Sequence, residues 1–129
     1  MKNTLLVMAF IVASISVVAQ TTKKDDKKLL VKYTVEEINT IKAEQPEEYK
    51  FLTYCIDNAF YIAEMPAEKI KANPSNFGEI SIKNLSKINF YQLNISLKEN
   101  DYQSFVIKGT SKVLIVKSKT HILRELKNK

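Results

Sequence analysis

The chain has 129 residues, with 20 basic and 14 acidic side chains, one histidine, one cysteine, no tryptophan and two glycines. This length has room for one ordinary domain and excludes folds that need about 200 residues or more. One cysteine and one histidine cannot supply the four ligands of a structural zinc site, and two distant glycines cannot form a glycine-rich phosphate loop. We therefore expect no metal and no nucleotide cofactor.

The first residues have the pattern of a secretory signal peptide. Lys2 precedes an apolar run over 5–12, and small residues lead to Ala19. This pattern predicts a signal peptide over 1–19 and export to the periplasm or the extracellular space. The run ending at Ala19 is shorter than the ~20 apolar residues of a membrane-spanning helix, so we expect cleavage and no membrane span in the remaining chain. A retained N-terminal anchor is the alternative. No cysteine follows Ala19, which argues against a lipid anchor.

Residues 20–32 are polar and of mixed charge, which predicts a flexible spacer that ends in a short extended segment over 29–33. A single domain is then expected over 33–129. Thr34 and Glu37 have the spacing of a capping box, in which each side chain accepts a hydrogen bond from the backbone amide of the other residue. The apolar spacing that follows predicts a helix over 35–44.

Residues 47–63 carry apolar side chains in nearly every direction of a helical wheel, which predicts a central and mostly buried helix. Its polar stripe would consist of Lys50, Thr53, Tyr54, Asp57, Tyr61 and Glu64. The alternative is a strand over 59–65, because Phe60 and Ile62 also fit a period of two. Pro66 ends either element.

The second half of the chain has strand periodicity. Residues 67–78 predict a loop, and alternating apolar residues from Ile80 to Leu97 predict one or two strands. Further strands are expected over 102–108 and 113–116, the latter in the interior of the sheet, and Ser118 or Thr120 can cap a final helix. The fold class is therefore α+β: two N-terminal helices, an antiparallel meander of three or four strands, and a C-terminal helix on one face of the sheet.

Few residues are suited to catalysis. His121 has lysine and polar neighbours, which favours a surface position, and Cys55 has apolar neighbours, which favours a small buried side chain over an intermolecular disulfide. Asp57, Glu64 and Glu68 could form a shared acidic face, but their spacing is also that of ordinary surface carboxylates. We predict no catalytic residue and leave open a small enzyme that depends on carboxylates or on Cys55.

Charge is unevenly distributed along the chain. Residues 20–68 contain seven basic and ten acidic groups, whereas residues 69–129 contain twelve basic and four acidic groups. The basic half of the chain, residues 69–129, is suited to bind an acidic protein or an anionic component of the cell envelope. Nucleic acid is not an expected partner, because the aromatic residues of this half occupy ordinary strand positions.

The Ala19-Gln20 junction, the abundance of lysine, asparagine and isoleucine, and the Tyr-Thr-Val-Glu-Glu-Ile sequence over 33–38 together resemble the small exported proteins of Bacteroidota. The resemblance implies a periplasmic or secreted location and transfers no functional residue.

The leading hypothesis is an exported, non-enzymatic binding domain, with a structural accessory subunit as a further alternative. Two groups of side chains are candidates for binding, one on the polar stripe of the central helix and one in the basic half. They are Tyr54, Asp57 and Tyr61, and Lys108, Lys112 and Lys117.

Overall fold

A computed structural model describes residues 24–129, so the predicted signal peptide lies outside the described residues. Helices and a four-stranded sheet make up this part of the chain, which confirms the α+β class. The elements are α1 (Lys24–Leu29), α2 (Val35–Glu44), α3 (Pro46–Asn58), β1 (Phe60–Glu64), α4 (Ala67–Ala72), β2 (Gly78–Ile80), β3 (Gln103–Ile107), β4 (Lys112–Val116) and α5 (Lys119–Lys127). Short 3₁₀ turns lie at Pro74–Asn76 and Phe90–Leu93.

The chain divides into two compact units, of which the first ends at Thr53 and the second comprises 54–129. The first unit contains α1, which lies within the stretch predicted as a flexible spacer. Asp26 of α1 is fully buried and accepts hydrogen bonds from Lys42 Nζ and the Tyr49 hydroxyl, both at 2.5 Å. A buried carboxylate needs such partners, because an unpaired charge away from water is costly.

Helix α2 has the bounds that its capping signal predicts. The Thr34 hydroxyl oxygen accepts from the Glu37 backbone N–H at 3.1 Å, and the Glu37 carboxylate accepts from the Thr34 backbone N–H at 2.8 Å. The predicted capping box is therefore confirmed. It satisfies two of the backbone donors that every helix start leaves without an intrahelical partner.

The sheet has the order β1, β4, β3, β2 and is mixed, not antiparallel throughout as predicted. β4 pairs antiparallel with both β1 and β3, while β2 pairs parallel with β3. The interior position predicted for β4 is confirmed, and Val113, Leu114 and Val116 are fully buried.

The predicted helix over 47–63 is wrong beyond Asn58, and the alternative strand is confirmed as β1. The Ala59 carbonyl accepts from the Lys117 backbone N–H at 2.8 Å, next to the ladder that pairs Phe60 with Val116. Pairing with a distant strand therefore decides the conformation here. As a result, Tyr61 and Glu64 lie on a strand, and the predicted polar stripe does not continue along one helix.

Two further predictions in the second half are wrong. The predicted loop over 67–78 contains α4, which starts after Pro66 and consists largely of the good helix formers Ala, Glu and Lys. Of the residues predicted to form strands between 80 and 97, only Ile80 lies in a strand, at the end of β2, which begins in the predicted loop, and Phe90–Leu93 is a 3₁₀ turn. The alternating pattern is still visible in the burial of Leu93, Ile95 and Leu97, which are half-buried between exposed neighbours, although no strand in the described part of the chain pairs with them.

Helix α5 is capped by Ser118, one of the two predicted caps. The Ser118 hydroxyl oxygen accepts from the His121 backbone N–H at 3.1 Å. The backbone N–H groups of Lys119 and Thr120 donate to the carbonyls of Lys98 and Glu99 at 2.9 and 3.0 Å. Within residues 24–129, no helix combines the length and the apolar character needed to cross a bilayer.

Candidate functional site

The Glu125 carboxylate is the centre of a cluster of polar side chains in the second unit. Its Oε1 accepts from the Tyr54 hydroxyl at 2.9 Å and from Lys117 Nζ at 3.1 Å. Its Oε2 accepts from the same ammonium at 3.0 Å and lies 2.9 Å from His121 Nε2. Tyr54 is on α3, Lys117 follows β4, and the other two residues are one turn apart on α5. We call these four residues the Glu125 cluster.

The histidine of the cluster connects it to a further aromatic side chain. His121 Nδ1 lies 2.7 Å from the Tyr102 hydroxyl, and the two rings meet edge to face with centroids 5.5 Å apart. Because an ionised Glu125 accepts from the Nε2 proton, a neutral imidazole offers Nδ1 as an acceptor for the Tyr102 hydroxyl proton. The carboxylate thereby fixes both the orientation of the ring and the direction of the phenol.

Burial and hydrogen bonding shift the pKa values of two residues of the cluster, Glu125 and Tyr54. Burial opposes ionisation of Glu125, but the hydrogen bonds from Lys117, Tyr54 and His121 outweigh it and lower the pKa of the carboxyl below its ordinary value. Burial, followed by the hydrogen bond to Glu125, raises the pKa of the Tyr54 phenol. Glu125 is therefore an anion, and Tyr54 a neutral donor, at neutral pH.

A second feature beside the cluster is a pair of exposed tyrosines. In the sheet register, Tyr61 of β1 lies across from Ile115 of β4, which lies across from Ser104 of β3, so these side chains share one face. Tyr102 directly precedes β3 and is close enough to Tyr61 for the two phenols to interact electrostatically. Tyr61 is 47% exposed and Tyr102 is 44% exposed. With His121 they form what we call the tyrosine surface.

Tyr61 is close enough to Tyr102 to affect the pKa of the Tyr102 phenol. Burial raises the pKa of the Tyr102 phenol, and the neighbouring Tyr61 and Glu125 raise it further, while Arg124 opposes them. The Tyr102 phenol therefore stays neutral over the physiological range, and both tyrosines present an apolar ring with a polar tip. Side chains of this kind are common at protein interfaces.

The structure brings some of the predicted binding residues together and separates others. Tyr54 and Lys117 meet at Glu125, and Tyr61 lies on the tyrosine surface. Asp57 is exposed on α3. Lys108 and Lys112 belong neither to the Glu125 cluster nor to the tyrosine surface.

Both of these lysines face carboxylates on neighbouring strands. Lys108 Nζ lies 3.9 Å from Glu79, and Lys112 Nζ lies 3.3 Å from Glu64. All four side chains are at least 42% exposed, so each pair contributes little to stability.

Sequence reasoning missed Glu125 and Tyr102, and it assigned His121 to the surface with no role. The spacing of His121 and Glu125 is a usable signal, because residues four apart on a helix lie on the same face. No local pattern indicates Tyr102, which reaches the histidine through tertiary structure.

The cluster is chemically suited to hold aromatic side chains in place more than to react. A carboxylate with a lowered pKa is a weak proton acceptor, and Lys117 already neutralises it. Among residues 24–129, no group of three or more histidine, cysteine or acidic side chains is arranged to hold a metal ion. The Cys55 thiol is 1% exposed and cannot meet a substrate in this conformation.

Comparison with protein-family models, with curated proteins and with solved structures finds no match to this chain.

Proposed function

We propose that this chain is an exported, non-enzymatic protein-binding domain, which holds an extended segment of its partner along the open edge of β1, beside the tyrosine surface. The observation that carries the proposal is the position of β1 at one end of the sheet, with β4 on one side and, among residues 24–129, no strand on the other. The signal-peptide pattern of the N-terminus supports the exported location.

The register identifies the backbone groups at this edge. Two bonds flank the ladder, from Lys117 N to Ala59 O at 2.8 Å and from Met65 N to Ser111 O at 3.1 Å. Bonded and non-bonded pairs alternate along an antiparallel ladder. The residues of β1 that bond to β4 are therefore Tyr61 and Ala63.

The N–H and C=O groups of the other three residues, Phe60, Ile62 and Glu64, point away from β4. They have no ladder partner among the described residues. Donors and acceptors that alternate along one line, two residues apart, match the backbone of another extended chain. This geometry favours a polypeptide over a sugar or a lipid as the occupant of the edge.

The tyrosine surface lies on one face of the same strand. A segment added to β1 would place every second side chain next to Tyr61, and cross-strand aromatic pairs contribute roughly 0.2–1 kcal/mol each. The Glu125 carboxylate holds the His121 ring, which in turn orients the Tyr102 hydroxyl. The surface is thus preorganised, which lowers the entropic cost of binding.

The basic half is the weaker candidate for the binding surface. Each of the lysines that the sequence singled out, Lys108, Lys112 and Lys117, lies within 4 Å of a carboxylate. Their charges are thereby partly neutralised. An anionic component of the envelope would have to displace these carboxylates first.

The two other hypotheses find less support. An enzyme based on Cys55 conflicts with the burial of the thiol. An accessory subunit would need a large apolar patch, whereas Tyr61 and Tyr102 carry polar hydroxyls. We also propose that α5 covers one face of the sheet, because Ile122 of this helix is fully buried.

Photocrosslinking in intact cells of the source organism tests the proposal. A photoreactive phenylalanine analogue replaces Tyr61. As a matched control, the same analogue replaces Glu68, an exposed residue of α4. We expect a protein adduct from position 61 and none from position 68. Equal adducts from both positions, or none from position 61, would contradict the proposal.

The edge is tested by adding a second substitution to the position 61 probe. Ile62→Pro removes an outward N–H but leaves the bonds from Tyr61 and Ala63 to β4, and proline is tolerated on edge strands. Ile62→Val, which keeps the N–H, is the control. We expect the adduct to disappear with Ile62→Pro and to persist with Ile62→Val, so an adduct that survives both would place the partner elsewhere.

A further inference from the structure

The connection between β2 and β3 lines a half-open cavity of about 310 Å³ in the second unit, and the proposed function does not use it. Its wall comes from the segment between Ser81 and Leu93. We infer that this cavity is a binding site for a small amphiphile, with an anionic head held by Lys83 and Lys87 and a short apolar chain.

The charge of the wall points to an anion. Lys83 and Lys87 are the charged residues of the lining, and none of the lining residues is acidic. Within the described part of the chain, neither ammonium group forms an ion pair. This distinguishes the two from Lys108, Lys112 and Lys117, each of which has a carboxylate nearby.

The amide of Asn84 adds a donor. Its Oδ1 accepts from the Ser86 backbone N–H at 3.1 Å and from the Ser86 hydroxyl at 2.7 Å. With the oxygen occupied, the Nδ2 group is the part of Asn84 left to bind a ligand, and it can only donate. The Gln92 amide lines the same cavity. The wall therefore combines two lysine ammonium groups with the Nδ2 donor of Asn84, whose Oδ1 is already bonded to Ser86.

The apolar residues of the wall indicate that the other end of the ligand is apolar. Ile82, Ile88 and Leu93 line the cavity and are half-buried, so they offer a surface to an aliphatic chain. A volume of 310 Å³ lies at the low end of the ~300–1,000 Å³ of ligand sites. That size favours one short chain over the two long chains of a membrane phospholipid.

Titration followed by amide chemical shifts tests the inference with three probes of equal chain length: hexanoate, hexyl phosphate and 1-hexanol. We expect saturable shifts of the amides between 81 and 93 with hexanoate or hexyl phosphate, and about tenfold weaker binding of the neutral alcohol. The anion that binds more tightly, hexanoate or hexyl phosphate, shows whether the site prefers a carboxylate or a phosphate head. Equal affinity for the alcohol and both anions, or shifts confined to other parts of the chain, would overturn the inference.

A charge-matched pair of variants removes the effect of net charge. Lys83→Gln with Lys87→Gln is compared with Lys69→Gln with Lys71→Gln, which changes two exposed lysines of α4 by the same amount. We expect about tenfold weaker binding of the anion only in the first pair. All four lysines are exposed, and the amide spectrum itself reports whether each variant folds. Equal affinity of the two pairs would show that the cavity lysines do not hold the head.

Discussion

Glu125 is the residue on which the candidate site depends most, because three side chains from different elements donate to one carboxylate. Each donor loses its ionic acceptor if the carboxyl is protonated. Hydrogen bonds to a charged group contribute roughly 1.5–3 kcal/mol when they are well formed. The partial exposure of the cluster reduces this figure through solvent screening.

We expect the protein to lose stability from the Glu125 cluster in acid. The folded-state pKa of Glu125 is lowered, so its contribution is fully present above about pH 4.3, the ordinary value, and disappears as the pH falls through the folded-state pKa. Glu125→Gln is expected to destabilise the protein by about 1 kcal/mol at pH 7. Urea unfolding from pH 7 to pH 3 measures both effects.

The same titration has a control and a result that would contradict it. Glu68→Gln changes an exposed carboxyl of α4 and is expected to follow the wild type. The gap between wild type and Glu125→Gln should close at low pH. A gap that stays constant down to pH 3 would mean that the charge of Glu125 does not stabilise the fold.

Residue types and spacing predicted part of this site. Tyr54, Tyr61 and Lys117 were candidates from their pattern, and they lie at the Glu125 cluster or the tyrosine surface. Glu125 was not a candidate, because a single glutamate on a helix looks like any surface carboxylate. Its role depends on the approach of α3 and β4, which no local signal encodes.

At the scale of elements, local signals were sufficient where a helix could satisfy its own ends. Thr34 and Ser118 both accept from the backbone N–H three residues later, and the helices that follow them start as predicted. The strands β3 and β4 were also predicted, because turn residues separate their apolar runs. Such signals lie within a few residues of the element that they define.

Long-range pairing decided two of the segments that were predicted wrongly, whereas α4 was missed although its own residues favour a helix. Phe60 and Ile62 fit both a helix and a strand, and β4 selects the strand. The alternating residues from Ile82 to Leu97 fit a strand, but among residues 24–129 the sheet contains no strand from this segment, because β2 ends at Ile80 and the next strand is β3. Periodicity records which side of a segment is apolar, whereas the ladder partner determines whether that segment is a strand.

The capping box makes a prediction at this scale. Thr34→Ala removes the acceptor for the Glu37 backbone N–H, and the loss of a side-chain cap costs about 0.5–2 kcal/mol. We expect a lower urea midpoint for this variant with an unchanged slope. Thr40→Ala, at an exposed interior position of α2, is the matched control and is expected to be neutral or slightly stabilising. Equal midpoints for the two variants would mean that the box does not stabilise the fold.

At the scale of the whole molecule, the export that we propose is the property that most constrains the function. We expect expression in a bacterial host to give a periplasmic product that starts at Gln20, because the sequence predicts cleavage after Ala19. Intact-mass measurement of the purified protein identifies the first residue. Ala19→Arg, which blocks the small-residue site, is expected to leave the precursor uncleaved. Recovery of a full-length wild-type protein from the cytoplasm would contradict this.

The position of β4 also has a consequence for the order in which the chain assembles. β4 is the last strand of the sheet in the sequence, yet both β1 and β3 pair with it. During synthesis, β1 therefore waits for Val116, its distant partner, before it can form a ladder. Late closure of this kind slows folding. The sheet therefore stays incomplete until Lys112–Val116 has been synthesised, and this delay would keep the chain unfolded for the translocation that we propose.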